Sequence, residues 1–269
     1  MKESLIQYTL HLADNSLILG QRNSEWCGYG PVLEQDIAIT NISLDLIGQA
    51  RNFYQYAATL INNQSAAKVS PPAGGGDLEG ASEDSLAYLR KEREFKNCLL
   101  VEQPNGDWAQ TILRQFFFSQ YQYLLLEELL GSRDKQLAAI AEKSLKEVTY
   151  HLRWSSEWVI RLGDGTEESH NRMLKAIDEL WRYTGELFEA ASYELRASGE
   201  GFGVDVSKLK ESWQKKVSDI FSEASLIPPS GGWGAFMQTG GKEGRHTEHL
   251  GFILTELQYM QRAYPGAEW

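Results

Sequence analysis

The segment QFFFSQYQYLLLEELL at 115–130 is apolar on almost every side when wound as a helix. Such a helix has no face to give to water, so it sits at the centre of a packed structure or is covered on its second side by another subunit. The flanking sequence repeats apolar residues every three or four positions. Leu5, Ile6, Leu10, Leu12, Leu17 and Leu19 mark a helix over 3–20. Ile39, Leu46, Ala50, Phe53, Ala57 and Leu60 mark a long one over 31–62, with Pro31 in its first turn. Leu137, Ala141, Leu145, Val148, Leu152 and Val159 mark another over 134–162. A short helix fits 83–94, Asp107 caps the central one, and Thr166 opens a helix that runs to Ala197. Two more span 207–225 and 246–264. The stretches VSPPAGGG (69–76), SGEGFGVDV (198–206) and the Gly-rich 228–245 break both helix and strand. No strand alternation, fixed-period repeat or long heptad array is present. The expected fold is all-α, one domain over 1–269, an antiparallel bundle of long helices with extra helices around it.

The net charge of −11 has no strong Lys/Arg cluster to offset it, which argues against a nucleic-acid binder. Cys27 and Cys98 are the two cysteines, too few for a disulfide framework, so a reducing cytoplasm is expected. Cys27, in SEWCGYG, reads as a packed thiol rather than a nucleophile. The opening MKESLIQYTLHLADN is broken by Gln7, His11, Asp14 and Asn15, as in an amphipathic helix and unlike a signal peptide. No apolar run suffices to span a bilayer.

The chemistry-bearing residues lie on the helix faces. At about 100° per residue, His151 falls about 60° from Val148 and Glu147 about 100°, both on the edge of the apolar stripe. Asp45 and Gln49 hold the same edge beside Leu46. Glu128 aligns with Phe117, Tyr121 and Leu124 and is expected to face inward, and Asp14 is the best inward carboxylate of the first helix. Carboxylate-bridged di-iron bundles take a Glu from each of two helices and a Glu-x-x-His from each of two others. Here Glu147 is followed at the third place by Tyr150, with His151 one place late, and Asp45 is followed by Gly48. One reading is a di-metal site of Asp14, Asp45, Glu128, Glu147 and His151. The plainer one has Asp45, Glu147 and His151 bonding between helices. The incomplete set points to a non-catalytic relative of a di-iron enzyme.

A second candidate is His246-Thr247-Glu248-His249, in which two imidazoles stand one turn apart and would share a metal only with further ligands. Lys242, Arg245 and His246 at the start of the last helix also suit an anion, either a phosphate or a partner's carboxylate. A solvated, capped helix start is the bland alternative. TGGKEG lacks phosphate-loop spacing, and no Ser/His/Asp triad can be assembled.

Four segments carry a resemblance: DNSLILGQRNSEWCGYGPVLEQDIAITNISLDLIGQARNF (14–53), KEVTYHLRWSSEWVIRLGDGTEES (146–169), LWRYTGELFE (180–189) and TGGKEGRHTEHLGFILTELQYMQRAYPG (239–266). They resemble the structural subunits of bacterial phenylacetyl-CoA epoxidases, which act in aerobic phenylacetate catabolism. The likeness covers nearly the whole chain and is weakest at 63–82 and 120–135. It implies a ferritin-like bundle paired with a homologous catalytic oxygenase subunit. That partner would hold the di-iron centre and the CoA thioester, while a separate NADPH-dependent reductase supplies electrons for inserting one oxygen atom of O₂ into the ring. It implies no cofactor and no catalytic residue in this chain. The resulting expectation is a scaffold that binds its partner through its outer face and the aromatics of 115–130. Residues 239–249, with Lys242, Arg245, His246 and His249, would touch the partner or its CoA. The competing classes are a self-sufficient metal-dependent oxidase with an atypical ligand set, and a small-molecule carrier.

Overall fold

The computed structural model describes residues 2–66, 80–229, 231, 234–265 and 267; the expected loop at 69–76 lies outside them. The described residues form helices and turns, with no strand. Four long helices build the frame: α1 (Lys2–Ser24), α2 (Leu33–Ala66), α5 (Trp108–Leu129) and α6 (Lys135–Gly163). Short helices α3 (Glu83–Tyr88) and α4 (Leu99–Glu102) fall between the two pairs. After the frame come α7 (Glu167–Leu180), α8 (Ser192–Gly199), α9 (Lys210–Glu223), α10 (Glu248–Leu257) and α11 (Tyr259–Ala263). Among the described residues no helix is long and apolar enough to cross a membrane.

Side-chain pairs fix the directions. Gly20 packs on Leu46 while Asp14 bonds Tyr54, so α1 and α2 run antiparallel. Trp158 bonds Gln35, His151 meets Asp45, Gln49 bonds Glu147, and Tyr56 bonds Asp134, so α2 and α6 are antiparallel too. The caps follow the sequence. Asp107 accepts from Gln110 N at 3.1 Å, Asp134 from Leu137 N at 3.0 Å, and Thr166 with Ser169 forms a reciprocal capping box. Pro31 stands two residues ahead of α2, where Asp36 accepts from Gly30 N at 2.9 Å.

α5 is the centre. Phe116, Phe117, Phe118 and Tyr121 are fully buried within this chain, under α6, α7 and α9. Phe117 alone meets Trp181, Trp213 and Phe221 with ring centroids 5.9, 5.5 and 6.1 Å away. For these four aromatics the expected use as a partner-binding face is therefore corrected, since the chain's own later helices cover them; Tyr123 and Leu124 stay half-buried. Glu128 is corrected as well. It lies on the narrow strip of α5 left to solvent and is exposed. Cys27 is exposed rather than packed, and both thiols are free.

The helix expected over 167–197 breaks after Leu180. It continues as 3₁₀ turns at Trp181–Tyr183 and Gly185–Phe188 before α8 begins. Thr184 Oγ1 donates to Trp181 O at 2.8 Å, satisfying a carbonyl locally. At Gly185 the chain passes so close to Met237 that a Cβ would lie 2.4 Å from its Cγ. The break turns Glu186 and Glu194 into the interior. The last helix also bends, at Gln258, into α10 and α11.

Two substitutions separate the centre from the strip. Phe117→Ala is expected to lower the unfolding free energy by about 3–5 kcal/mol, and Glu128→Ala to change it by less than about 0.5 kcal/mol, both read from urea denaturation.

Candidate functional site

A polar seam runs between the long helices α1, α2, α5 and α6. On α5, Gln115, Ser119 and Gln122 recur at spacings of four and three, so they share a face. All three are buried. Asn23 of α1 donates to Gln115 Oε1 at 2.7 Å, and Gln115 donates to Ser119 Oγ at 2.8 Å. Further along, Gln122 Nε2 donates to Gln49 Oε1 and Gln49 Nε2 donates to Glu147 Oε2, each at 2.9 Å. One turn away His151 Nε2 stands 3.0 Å from Asp45 Oδ2. Two facing pairs spaced by four residues, Asp45/Gln49 on α2 and Glu147/His151 on α6, thus form two rungs.

These rungs engage the donor atoms a metal would need. Asp45 and His151 face each other, and Glu147 is held by an amide. Gly48 has open space beyond its Cα. Tyr150 projects outward, 38% exposed, with the Arg153 guanidinium 5.8 Å from its ring centre. Asp14, placed with this group in the di-metal reading, lies elsewhere. It accepts from both terminal nitrogens of the Arg90 guanidinium, from Tyr54 Oη at 2.6 Å and from Lys96 N at 2.8 Å. Glu128 is on the outer surface. Among the described residues no three His, Cys, Asp or Glu side chains converge. Two separated carboxylates, one imidazole and two amides do not fit a carboxylate-bridged di-iron centre, which takes four carboxylates and two imidazoles.

The basic segment before the last helix is an internal brace. Lys242 is buried, with Nζ donating to Glu189 O at 3.0 Å and standing 3.1 Å from Glu194 Oε2. Glu194 accepts from Ala191 N at 2.8 Å and lies 3.5 Å from His11 Nε2. Glu186 accepts from Leu99 N at 2.6 Å and from Gly240 N and Gly241 N at 2.7 Å. Glu102 receives His246 Nδ1 at 2.9 Å, Thr247 N at 2.6 Å and Asn97 Nδ2 at 2.9 Å. The expected exposed cationic cluster is therefore not assembled. Lys242 and the His246 side chain are inside, Arg245 is outside against Glu243 at 2.7 Å, and His249 is half-buried. No local signal pairs Lys242 with a glutamate 48 residues earlier, which is why Arg90, Glu102, Glu186 and Glu194 escape a sequence reading. The Gln115–Ser119–Gln122 stripe, by contrast, is legible as polar residues in one line of an apolar helix.

The charges fit these surroundings. Burial opposes a charge on His246, but the hydrogen bond and charge of Glu102 outweigh it and hold the imidazole above its usual range. Its other nitrogen meets Phe95 O at 3.0 Å, so both ring nitrogens have acceptors. Burial raises the Glu194 carboxyl, and Lys242 with His11 outweighs that and holds it below the usual carboxylate range. Burial also keeps His11 below the usual imidazole range.

A folded-state pKa raised above the unfolded one stabilises fully below about pH 6.5, and the contribution is lost as pH rises through the folded value. The loss of stability caused by His246→Gln is therefore expected to be larger near pH 6 than near pH 9, measured by urea denaturation across that range. Lys242→Ala, which strands Glu194, should cost about 3–5 kcal/mol, whereas Arg245→Ala should cost under about 0.5 kcal/mol.

The chain matches the family described as Phenylacetic acid catabolic protein along residues 1–269. It is 49% identical over 265 residues to a 1,2-phenylacetyl-CoA epoxidase subunit of Escherichia coli (strain K12), covering 98% of this chain and 99% of that relative. The chain belongs to the phenylacetic acid catabolic protein family.

Proposed function

We propose that this chain is the non-catalytic structural subunit of a cytoplasmic phenylacetyl-CoA ring 1,2-epoxidase. It would act as one ferritin-like domain over 1–269 that scaffolds a homologous subunit bearing the di-iron centre. The relative's name supplies the reaction and implies partner subunits. The donor chemistry of the seam supports a scaffold rather than an oxidase, because Asp45 faces the one imidazole and Glu147 is held by an amide.

The observation that carries the reading is the outer face of α2. Leu33, Ile37, Leu44 and Ile47 are 71, 52, 62 and 38% exposed, and with Thr40 between them they keep a spacing of four, three, four, three. That is the seam of a helix built to meet another helix. Tyr29 and Val32 extend it, exposed, from the preceding loop. A contiguous apolar patch of this kind on a soluble protein marks an interaction site. A homologous bundle would present the corresponding helix, so the two faces can meet about a pseudo-two-fold axis. The stripe lies on the same helix as the seam, whose bonds hold α2 straight against α6.

The test is reconstitution with the epoxidase subunits encoded beside this chain. The parent protein should co-elute with the catalytic subunit, and Ile37→Asp with Leu44→Asp should weaken that pairing at least about a hundredfold without loss of helical circular dichroism. Protein purified alone and loaded with Fe(II) should hold well under one tightly bound iron per chain. Two irons per chain with a carboxylate-bridged spectrum would instead establish the self-sufficient oxidase.

A further inference from the structure

A second surface, away from the α2 stripe, is a trough of about 690 Å³ where α5, α6 and α9 meet. Its floor is Tyr123 and Leu124 from α5, Leu152 and Ile160 from α6, and Ile220 from α9. At its base Gln120 is 4% exposed, and its Oε1 accepts no hydrogen bond. The rim is charged: Arg153 and Glu157 on α6, and Lys215, Lys216 and Asp219 on α9, all exposed. None of the five forms an ion pair with another described residue.

The rim charges are sorted along the trough. A Cβ on Gly163 at the end of α6 would lie 2.5 Å from Ala224 O just beyond α9, and the two helices line the trough together, so their C-terminal ends lie at the same end of it. Counted back from that contact, Arg153, Lys215 and Lys216 stand ten, nine and eight residues away, whereas Glu157 and Asp219 stand six and five away. The cations therefore cluster about one helical turn from the carboxylates. Between Thr149 and Ile160 the trough extends for about 17 Å, roughly three turns. It is open along its length, which would leave a small ligand wet on one side. A helix laid into it buries one apolar face and keeps its flanks at the charged rims.

We infer that this trough seats an amphipathic helix of a second protein of the complex. The helix has an apolar face of i, i+3/i+4, i+7 residues on the floor. It carries carboxylates beside Arg153, Lys215 and Lys216, cations one turn further along beside Glu157 and Asp219, and a donor for Gln120 Oε1. Charge complementarity sets both its identity and its direction. In a chain of net charge −11, the three rim cations are the local attraction for an acidic segment.

The experiment places p-benzoylphenylalanine at position 124 in the trough, at 44 on the α2 face, or at 211 outside both, in the complex co-expressed with the neighbouring epoxidase subunits. Irradiation and peptide mass spectrometry then read the partners. The expected result is a cross-link from 124 to a helical, acid-flanked segment of another protein, with none from 211. In the Arg153→Glu, Lys215→Glu, Lys216→Glu variant its yield should fall at least about tenfold, while the cross-link from 44 persists and thermal unfolding is unchanged. The inference is overturned if position 124 gives no intermolecular cross-link, if the yield ignores the charge reversal, or if native mass spectrometry finds a small molecule filling the trough. Loss of the cross-link from 44 alone would count against the scaffold reading and leave the trough result intact.

Discussion

Four buried carboxylates, those of Asp14, Glu102, Glu186 and Glu194, organise the segments 90–102, 186–194 and 240–247, which have no long helix of their own. A buried carboxylate left without partners costs several kcal/mol, so each must be met by donors brought from elsewhere in the chain. Asp14 requires Arg90, Tyr54 and Lys96 N, which ties the α3–α4 region to α1. Glu186 requires backbone amides from both Leu99 and the 240–241 turn. Glu194 requires Lys242, and Glu102 requires His246 and Thr247. Remove any one donor segment and a charge is stranded. The arrangement gives a single solution to the packing of segments that have no long helix to guide them, which is a matter of specificity more than of net stability.

The same constraint decides what could be read before the structure. Long helices announce themselves through three/four spacing, and Asp107, Asp134 and Thr166 cap where short polar side chains precede apolar runs. The central position of 115–130 follows from its lack of a polar face. Its partners do not, because apolar residues of one's own chain and of another subunit are equally good cover. The break after Leu180 has only a weak local signal, Thr184-Gly185, which a helix can tolerate. It is imposed by the approach of Met237 and by the three backbone amides that Glu186 serves. Lys242 and Arg245 look alike in sequence and end on opposite sides of the surface, because only one of them has a buried glutamate within reach.

The polar seam of α2, α5 and α6 lies between facing helices, where helical bundles in general build cofactor and metal sites. Asp45, Gln49, Glu147 and His151 stand at i,i+4, one place off the Glu-x-x-His spacing of a di-iron site, and bond to each other across the two helices. Gln122 donates to Gln49, which donates to Glu147, so the amides form a donor–acceptor chain that ends on the carboxylate.

The end of α2 where its bare face begins is also wired to an indole cluster. Trp108 stands edge-on to Trp26, Trp154 and Trp158, with ring centres 5.1, 6.0 and 6.0 Å apart. Gln35, between the exposed Leu33 and Ile37, accepts from both Trp154 Nε1 and Trp158 Nε1, at 3.0 and 2.8 Å. Rings this close pool their excitation, so emission comes from whichever indole lies lowest in energy. A change in the polarity around Gln35 moves two of the four at once. The protein thus carries an intrinsic optical gauge at the mouth of its exposed helix face, and occupancy of that face can be followed by ultraviolet emission without attaching a dye.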